Sequence, residues 1–384
     1  MKRGKASNRL VDFYLGIPVL NFFAAIRRKG QHPETPERIG LLFNPALGDT
    51  LLASAATQDI RALYPRATLI LFATTANSAA ARLLPGVDAI EILPITRPVE
   101  SIRILRRNKL DLLLDFTAWQ RVTALYTLLS GAQFTAGFQR KKQHRHRGYD
   151  HTVPHQGDCH ELENLRRLTR SLGARTHADP QLLIPDLALP EGIAHDEETI
   201  VFHPWASGAR SWLREWPDDR WVALARELRT PGRSFLLTGA PADVARCRAL
   251  SEKLIADGTS VQMMIGRKGI SEVARVLQHA RLLVSVNTGI MHLGAILGTP
   301  TVSLNGPTSE HRWGPVGANV ANVCPPDGSG GFLDLGFEYR GRTADVMGKI
   351  SVIDVVLAVN RLLTVQDEAA DSTIAAAGTV FRKN

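Results

Sequence analysis

The chain has 384 residues, 46 Lys and Arg against 37 Asp and Glu, and a net charge of +9. Hydrophobic residues make up 44% and charged residues 22%, a globular balance that excludes a disordered chain and provides enough length for two domains with cores of their own. Cys159, Cys247 and Cys324 are odd in number, widely spaced and in no metal pattern. This argues for a reducing compartment and against disulfides or a zinc site. The basic excess asks for an anionic partner: nucleic acid, a phosphorylated glycan or a membrane surface.

Residues 1–36 form an N-terminal extension. "MKRGKASNRL" is basic, "VDFYLGIPVLNFFAAI" is apolar and "RRK" follows. A signal peptide has a similar start, but Asp12 and Asn21 interrupt the run and no small-residue cleavage site follows it. Leu10–Ile26 covers 17 residues, short of the roughly 20 that span a bilayer. Two readings stand. One is an amphipathic helix lying on an anionic membrane surface, with Pro18 kinking or breaking it. The other is a segment packed on the protein's own surface.

After the polar "GQHPETPE", strands and helices alternate. "RIGLLF", "ATLILFAT", "AIEILP", "KLDLLLDF" and "QFTAGF" read as strands. The intervening helices are Asp49–Leu63, "NSAAARLLPG", "VESIRILRRN" and "AWQRVTALYTLLSG". The Pro-rich, acidic stretch at 186–198 reads as a linker between a domain over 37–185 and a second over 199–345. The second alternation places strands at "TIVFHP", "SFLLTG", "VQMMIG", "LLVSV" and "TPTVSLNG". Such an α/β pattern implies βαβ units with parallel sheets, hence two Rossmann-like domains facing across a cleft. A closing helix occupies 346–365, opened by Ser351 and Asp354 at capping-box spacing, and 366–384 reads as a mobile tail.

Neither a P-loop lysine motif nor a GxGxxG follows either first strand, so ATPase and dinucleotide readings lose their main support. The loops at the carboxyl ends of strands remain, where open α/β sheets bind ligands. In "NPALGDT" a Gly-containing turn precedes Asp49, which is either the N-cap of a helix or a carboxylate that accepts a proton from a hydroxyl. In "SVNTGIMHLGAILGTP", Asn287, Thr288 and Gly289 open a helix bearing His292. Backbone N–H groups at such a start favour an anion, although Asn287 alone reads as a cap and His292 as a core histidine. In "HPWASGARSWLREWP", Ser207 and Gly208 make a small, donor-rich turn, and Arg210 and Arg214 can hold a diphosphate or remain a solvated pair. In "FQRKKQHRHRGYDH", Arg140, Lys141 and Lys142 begin a basic run that is either a solvated loop or an attractor of a phosphorylated acceptor. Aromatic interleaving there is limited to Phe138 and Tyr149, which disfavours nucleic acid.

Together and in this order, "ALGDTLLA", "LLLDF", the "GF" before the basic loop, "HELENLRRL", "HPWASG…REWPDDRW", "LLTGAPAD", "VNTGIMHLGAILGTP" and "NGPTSEHRWGP" resemble the ADP-heptose:lipopolysaccharide heptosyltransferases, glycosyltransferase family 9, over about residues 38–363. The resemblance implies a GT-B fold with an acceptor-binding first domain, a nucleotide-sugar-binding second domain and a final helix returning to the first. It implies inverting transfer of a heptose from ADP-heptose to a phosphorylated lipopolysaccharide inner-core acceptor. No cofactor or bound metal is needed, and the enzyme is cytoplasmic and peripheral on the inner face of the cell membrane. By position Asp49 matches the general base, Arg214 a basic residue beside the donor diphosphate, and Asn287, Thr288, Gly289 and His292 the donor-binding "DTG..H" pattern. Asn287 stands where the family usually has Asp. That departure sustains two alternatives: a nucleotide-sugar-binding protein without transfer activity, or a glycosyltransferase using a different nucleotide sugar.

Overall fold

The computed structural model describes residues 14, 16–44, 46–190, 193, 198–208, 210–266, 269–333 and 345–380, the side chains of 369–380 excepted. The chain divides into two compact units, Met1–Ile184 and Pro185–Asn384.

In the first unit six strands, β1 (Arg38–Leu42), β2 (Thr68–Ala73), β3 (Ala89–Ile92), β4 (Leu112–Asp115), β5 (Phe134–Gln139) and β6 (His151–Pro154), form one parallel sheet. Their order is β3-β2-β1-β4-β5-β6. Leu41 at the centre pairs with Leu71 on one side and Leu114 on the other. Every residue of β4 is buried, the mark of a parallel strand covered on both faces.

The second unit repeats the plan with β7 (Ile200–His203), β8 (Phe235–Thr238), β9 (Val261–Met264), β10 (Leu282–Val286), β11 (Thr301–Leu304) and β12 (Val320–Val323), ordered β12-β11-β10-β7-β8-β9. Its core joins Phe202, Trp216, Trp221, Leu237, Val284 and Leu304. The Gly289–Ile296 helix lies so close to β10 that a Cβ at Gly294 would stand 2.6 Å from Leu283 Cδ2. Only glycine permits that approach without displacing a core side chain.

The strands expected from sequence are present, and two more close the sheet edges. "HTVP" (β6) and "VANV" (β12) lack a long apolar run, and Pro154 cannot donate to a ladder, a residue tolerated at an edge. The segment expected as a single helix over Asp49–Leu63 is two, Leu47–Leu52 and Ser54–Leu63.

The closing helix differs from expectation in extent. It runs Val352–Val380, so residues 366–380, expected as a mobile tail, continue it. The "QDEAADSTIAAAG" stretch is rich in good helix formers. The helix buries Val355, Val359, Leu362 and Leu363 in the core of the second unit. Ser351 and Asp354 open it as expected: the Asp354 N–H donates to Ser351 Oγ at 3.1 Å.

Of the N-terminal extension, Gly16–Ile26 is helical. The helix runs without a break past Pro18 to Ile26. Leu20 is fully buried against Ala124, Leu128 and Tyr149 of the first unit. Residues 10–13 and Leu15, the start of the apolar run, lie outside the described residues.

Candidate functional site

An open parallel sheet forms a ligand crevice outside the carboxyl ends of the two strands where its order reverses. That point lies between β1 and β4 in the first unit and between β7 and β10 in the second. The residues singled out in the sequence follow these strands, apart from Arg140, Lys141 and Lys142, which follow β5.

In the first unit Ala46 is the N-cap of the Leu47–Leu52 helix and Asp49 is its third residue, not the cap expected from sequence. Asp49 Oδ2 accepts the Ala46 N–H at 3.1 Å. This is the return half of a capping box; Ala46 has no side-chain oxygen to supply the other half. The carboxylate is half-buried and stands in the first turn, where the helix dipole favours negative charge. Beneath it Thr50 Oγ1 donates to the Ala46 carbonyl at 2.9 Å and accepts from Asn77 Nδ2 at 3.0 Å. Asn77 in turn accepts both the N–H and the hydroxyl of Thr74, at the end of β2, at 2.8 and 2.9 Å. The turn carrying Asp49 is therefore propped from the neighbouring strand.

The loop after β4 faces it. The Asn44 side-chain amide donates to Gln120 Oε1 and links the two loops. Arg140 is half-buried with its guanidinium 5.2 Å from the centre of the Trp119 ring, while Lys141 and Lys142 are exposed. Further along this basic run Arg147 is exposed, but the run is anchored by a buried arginine. Arg145 is fully buried and pairs with Asp115, at the end of β4, at 2.9 Å. Tyr149 donates to the same carboxylate oxygen at 2.7 Å, and Arg145 also donates to the Gln120 carbonyl at 2.6 Å. Arg121 Nε donates to the Gln143 carbonyl at 2.8 Å. These bonds hold the loop so that its two lysines project. Phe138 and Tyr149 are buried, so neither offers a face to a stacked base.

In the second unit the loop after β7 turns at Gly208, whose φ of +100° is open to glycine. Arg210 holds a left-handed φ of +54°, a conformation that bulky residues adopt under constraint and that clusters at binding sites. Ser207 is exposed, and its carbonyl accepts a bond from Arg214 Nη2. Arg214 Nε is buried and has no hydrogen-bond partner among the described residues.

Glu215, which sequence reasoning missed, clamps this loop. It accepts the Ala206 N–H at 3.2 Å and pairs with Arg246, whose guanidinium lies 5.4 Å from the centre of the Trp205 ring. Below the loop His203 is buried, its Nδ1 3.0 Å from Thr238 Oγ1. Burial lowers its pKa to about 4, against the opposing hydrogen bond with Thr238.

After β10, Thr288 rather than Asn287 is the N-cap of the Gly289–Ile296 helix. Its side chain makes no capping bond to the first-turn N–H groups, which are left for a ligand. His292 is buried in that helix. Asn287 is buried too, and its amide points inward: Nδ2 donates to Asn305 Oδ1 at 2.7 Å and to the Trp313 carbonyl at 2.9 Å.

Comparison with known proteins gives this arrangement a family. A family model for glycosyltransferase family 9 (heptosyltransferase) matches residues 99–329, more than half of the chain. Lipopolysaccharide heptosyltransferase 3 of Escherichia coli is 24% identical over 340 residues, 82% of this chain and 96% of the relative. Lipopolysaccharide heptosyltransferase 1 of Salmonella typhimurium is 33% identical over 173 residues, 44% of this chain and 51% of the relative. Among solved structures, E. coli ADP-heptose lipopolysaccharide heptosyltransferase II superposes with a TM-score of 0.68 at 17% identity, over 86% of this chain and 99% of that one. E. coli heptosyltransferase WaaC with ADP superposes with a TM-score of 0.66 at 20% identity, over 85% and 99%. The chain therefore belongs to glycosyltransferase family 9, the heptosyltransferase family, and is a glycosyltransferase with a GT-B fold.

Proposed function

We propose that the protein transfers a heptose from ADP-heptose to a phosphorylated lipopolysaccharide inner-core acceptor, with inversion and without a bound metal. Asp49 takes the proton of the acceptor hydroxyl as its oxygen bonds to the anomeric carbon. The bond from that carbon to the diphosphate breaks on the opposite face, and ADP leaves with the electron pair. Arg214 and the backbone N–H groups beginning at Gly289 take up its charge. Ser207, Gly208, Thr288 and His292 complete the donor wall, and Arg140, Lys141 and Lys142 receive acceptor phosphates. The same reading makes the enzyme cytoplasmic and peripheral on the inner face of the cell membrane, in keeping with its net charge of +9.

The observation that carries the reading is Arg214, a guanidinium whose buried Nε lacks an acceptor among the described residues, in the loop after β7, the strand that pairs with β10 ahead of an uncapped helix start. The test is incubation of purified protein with ADP-heptose and a heptose-free core acceptor, with product stereochemistry read by NMR. Formation of the inverted glycoside with ADP release is expected, together with thermal stabilisation by ADP-heptose that Arg214→Ala loses. Binding without turnover, or turnover only with another nucleotide sugar, would overturn it.

A further inference from the structure

The Gly16–Ile26 helix has one polar side chain, the half-buried Asn21, and carries apolar side chains on both faces, although only one face is covered. Inward, Leu20 is fully buried, and Phe23 and Ala24 pack with it on Ala124, Leu128 and Tyr149. Outward, Pro18, Val19, Phe22, Ala25 and Ile26 are exposed, with Phe22 at 64% and Ile26 at 68%. At 3.6 residues per turn, Val19, Phe22 and Ile26 fall on one stripe, and no charged side chain interrupts the helix. A helix with apolar side chains on both faces belongs inside a protein or at a lipid boundary.

The helix is held rather than loosely laid down. Just past its end Arg27 pairs with the buried carboxylate of Asp150 at 2.6 Å and donates to the Gly148 carbonyl at 3.2 Å. The Gly30 N–H donates to the other Asp150 oxygen at 2.8 Å. Phe22 meets the half-buried Phe23 edge-on, with ring centres 5.3 Å apart. These contacts fix which face looks outward, so the exposed stripe is a built feature of the first unit.

We infer that this outer face docks on an anionic lipid bilayer, with Val19, Phe22 and Ile26 in the acyl boundary and Arg28 and Lys29 among the headgroups. Charge decides the occupant. Arg28 and Lys29 are exposed at one end of the stripe, and the sequence before the helix is basic. A second copy would bring like charges together, whereas phosphate headgroups neutralise them. The inference rests on the peripheral placement proposed above and supplies its surface.

The test is co-sedimentation of the full chain with phosphatidylglycerol-containing vesicles and with phosphatidylcholine vesicles, alongside its oligomeric state in solution. Wild type should bind the anionic vesicles, and the Phe22→Asp/Ile26→Asp variant should bind at least about 10-fold more weakly at unchanged Tm. Arg28→Glu/Lys29→Glu should weaken binding to anionic vesicles alone. If wild type and Phe22→Asp/Ile26→Asp bind equally, this helix is not the surface, while the peripheral placement stands. If wild type binds no vesicle, the placement itself fails. A wild-type dimer that Phe22→Asp/Ile26→Asp converts to monomer, with vesicle binding unchanged, would assign the face to a second copy instead.

Discussion

The Asn287 side-chain amide donates to Asn305 Oδ1 at 2.7 Å, and Asn305 passes its own amide on to Asn322 Oδ1 at 2.8 Å and to the Ser303 carbonyl at 3.2 Å. Three amides thus run in one donor direction across the ends of β10, β11 and β12. Asn305 cannot turn to offer an N–H to residue 287 without abandoning its own acceptors.

This makes Asn287→Asp, a change toward the family pattern, a destabilising substitution. A carboxylate would face Asn305 Oδ1 and the Trp313 carbonyl, both acceptors, inside a buried site. The expected cost is about 1–3 kcal/mol, the usual range for a buried polar group left unsatisfied. Thermal melts of the two proteins without ligand decide it. An Asn287→Asp variant as stable as wild type would mean that the amide relay is not the reason for Asn.

Asp49 is fixed by the Ala46 N–H from within the first turn of its helix, not from the cap position. Substitution by Ala removes the carboxylate and one helix-start bond. Activity should fall by at least about 10²-fold, the low end of what a general base contributes, with donor binding retained. Asp49→Asn keeps an oxygen for the Ala46 N–H and should be equally inactive at nearly wild-type Tm. Turnover close to wild type in the Asn variant would remove Asp49 from the proton transfer.

The sequence made the central strands legible because each is a short apolar run between turn residues, and the ligand loops because they follow those runs. The edge strands were not legible: His151–Pro154 contains a His, a Thr and a Pro, and its pairing comes from the neighbour β5. The role of Asn287 was hidden for a related reason. Its partners, Asn305 and Trp313, follow it by 18 and 26 positions and meet it only through the fold. Asp49 and Arg214 could be named because a single residue type in a single loop suffices for the role proposed for each. Glu215 could not, since its work is to hold Ala206 and Arg246, neither of which shows in local pattern.

The basic loop separates into two classes of cation. Arg145 is fully buried against Asp115, and removing one member of such a pair leaves an uncompensated buried charge. Arg145→Met should therefore cost about 3–5 kcal/mol of stability. Lys141→Ala/Lys142→Ala, at exposed positions, should leave Tm unchanged and raise the acceptor KM. Urea melts together with acceptor titrations separate the two. Equal loss of stability in both variants would refute the division.

His203 predicts how the second unit responds to acid. Its pKa falls from 6.5 unfolded to about 4 folded, because burial disfavours the imidazolium. Between these values the unfolded chain binds more protons than the native one, so stability rises with pH across that window. The neutral histidine's contribution is complete above about 6.5 and is lost as pH falls toward 4. At roughly 1.4 kcal/mol per unit, the loss is about 3 kcal/mol at full extent. His203→Asn keeps a polar group beside Thr238 and cannot titrate. Its melting temperature should fall less steeply than wild type between pH 6.5 and 4. Every other titrating group is common to both proteins and cancels in that difference, so parallel curves would show that His203 is not held neutral by the fold.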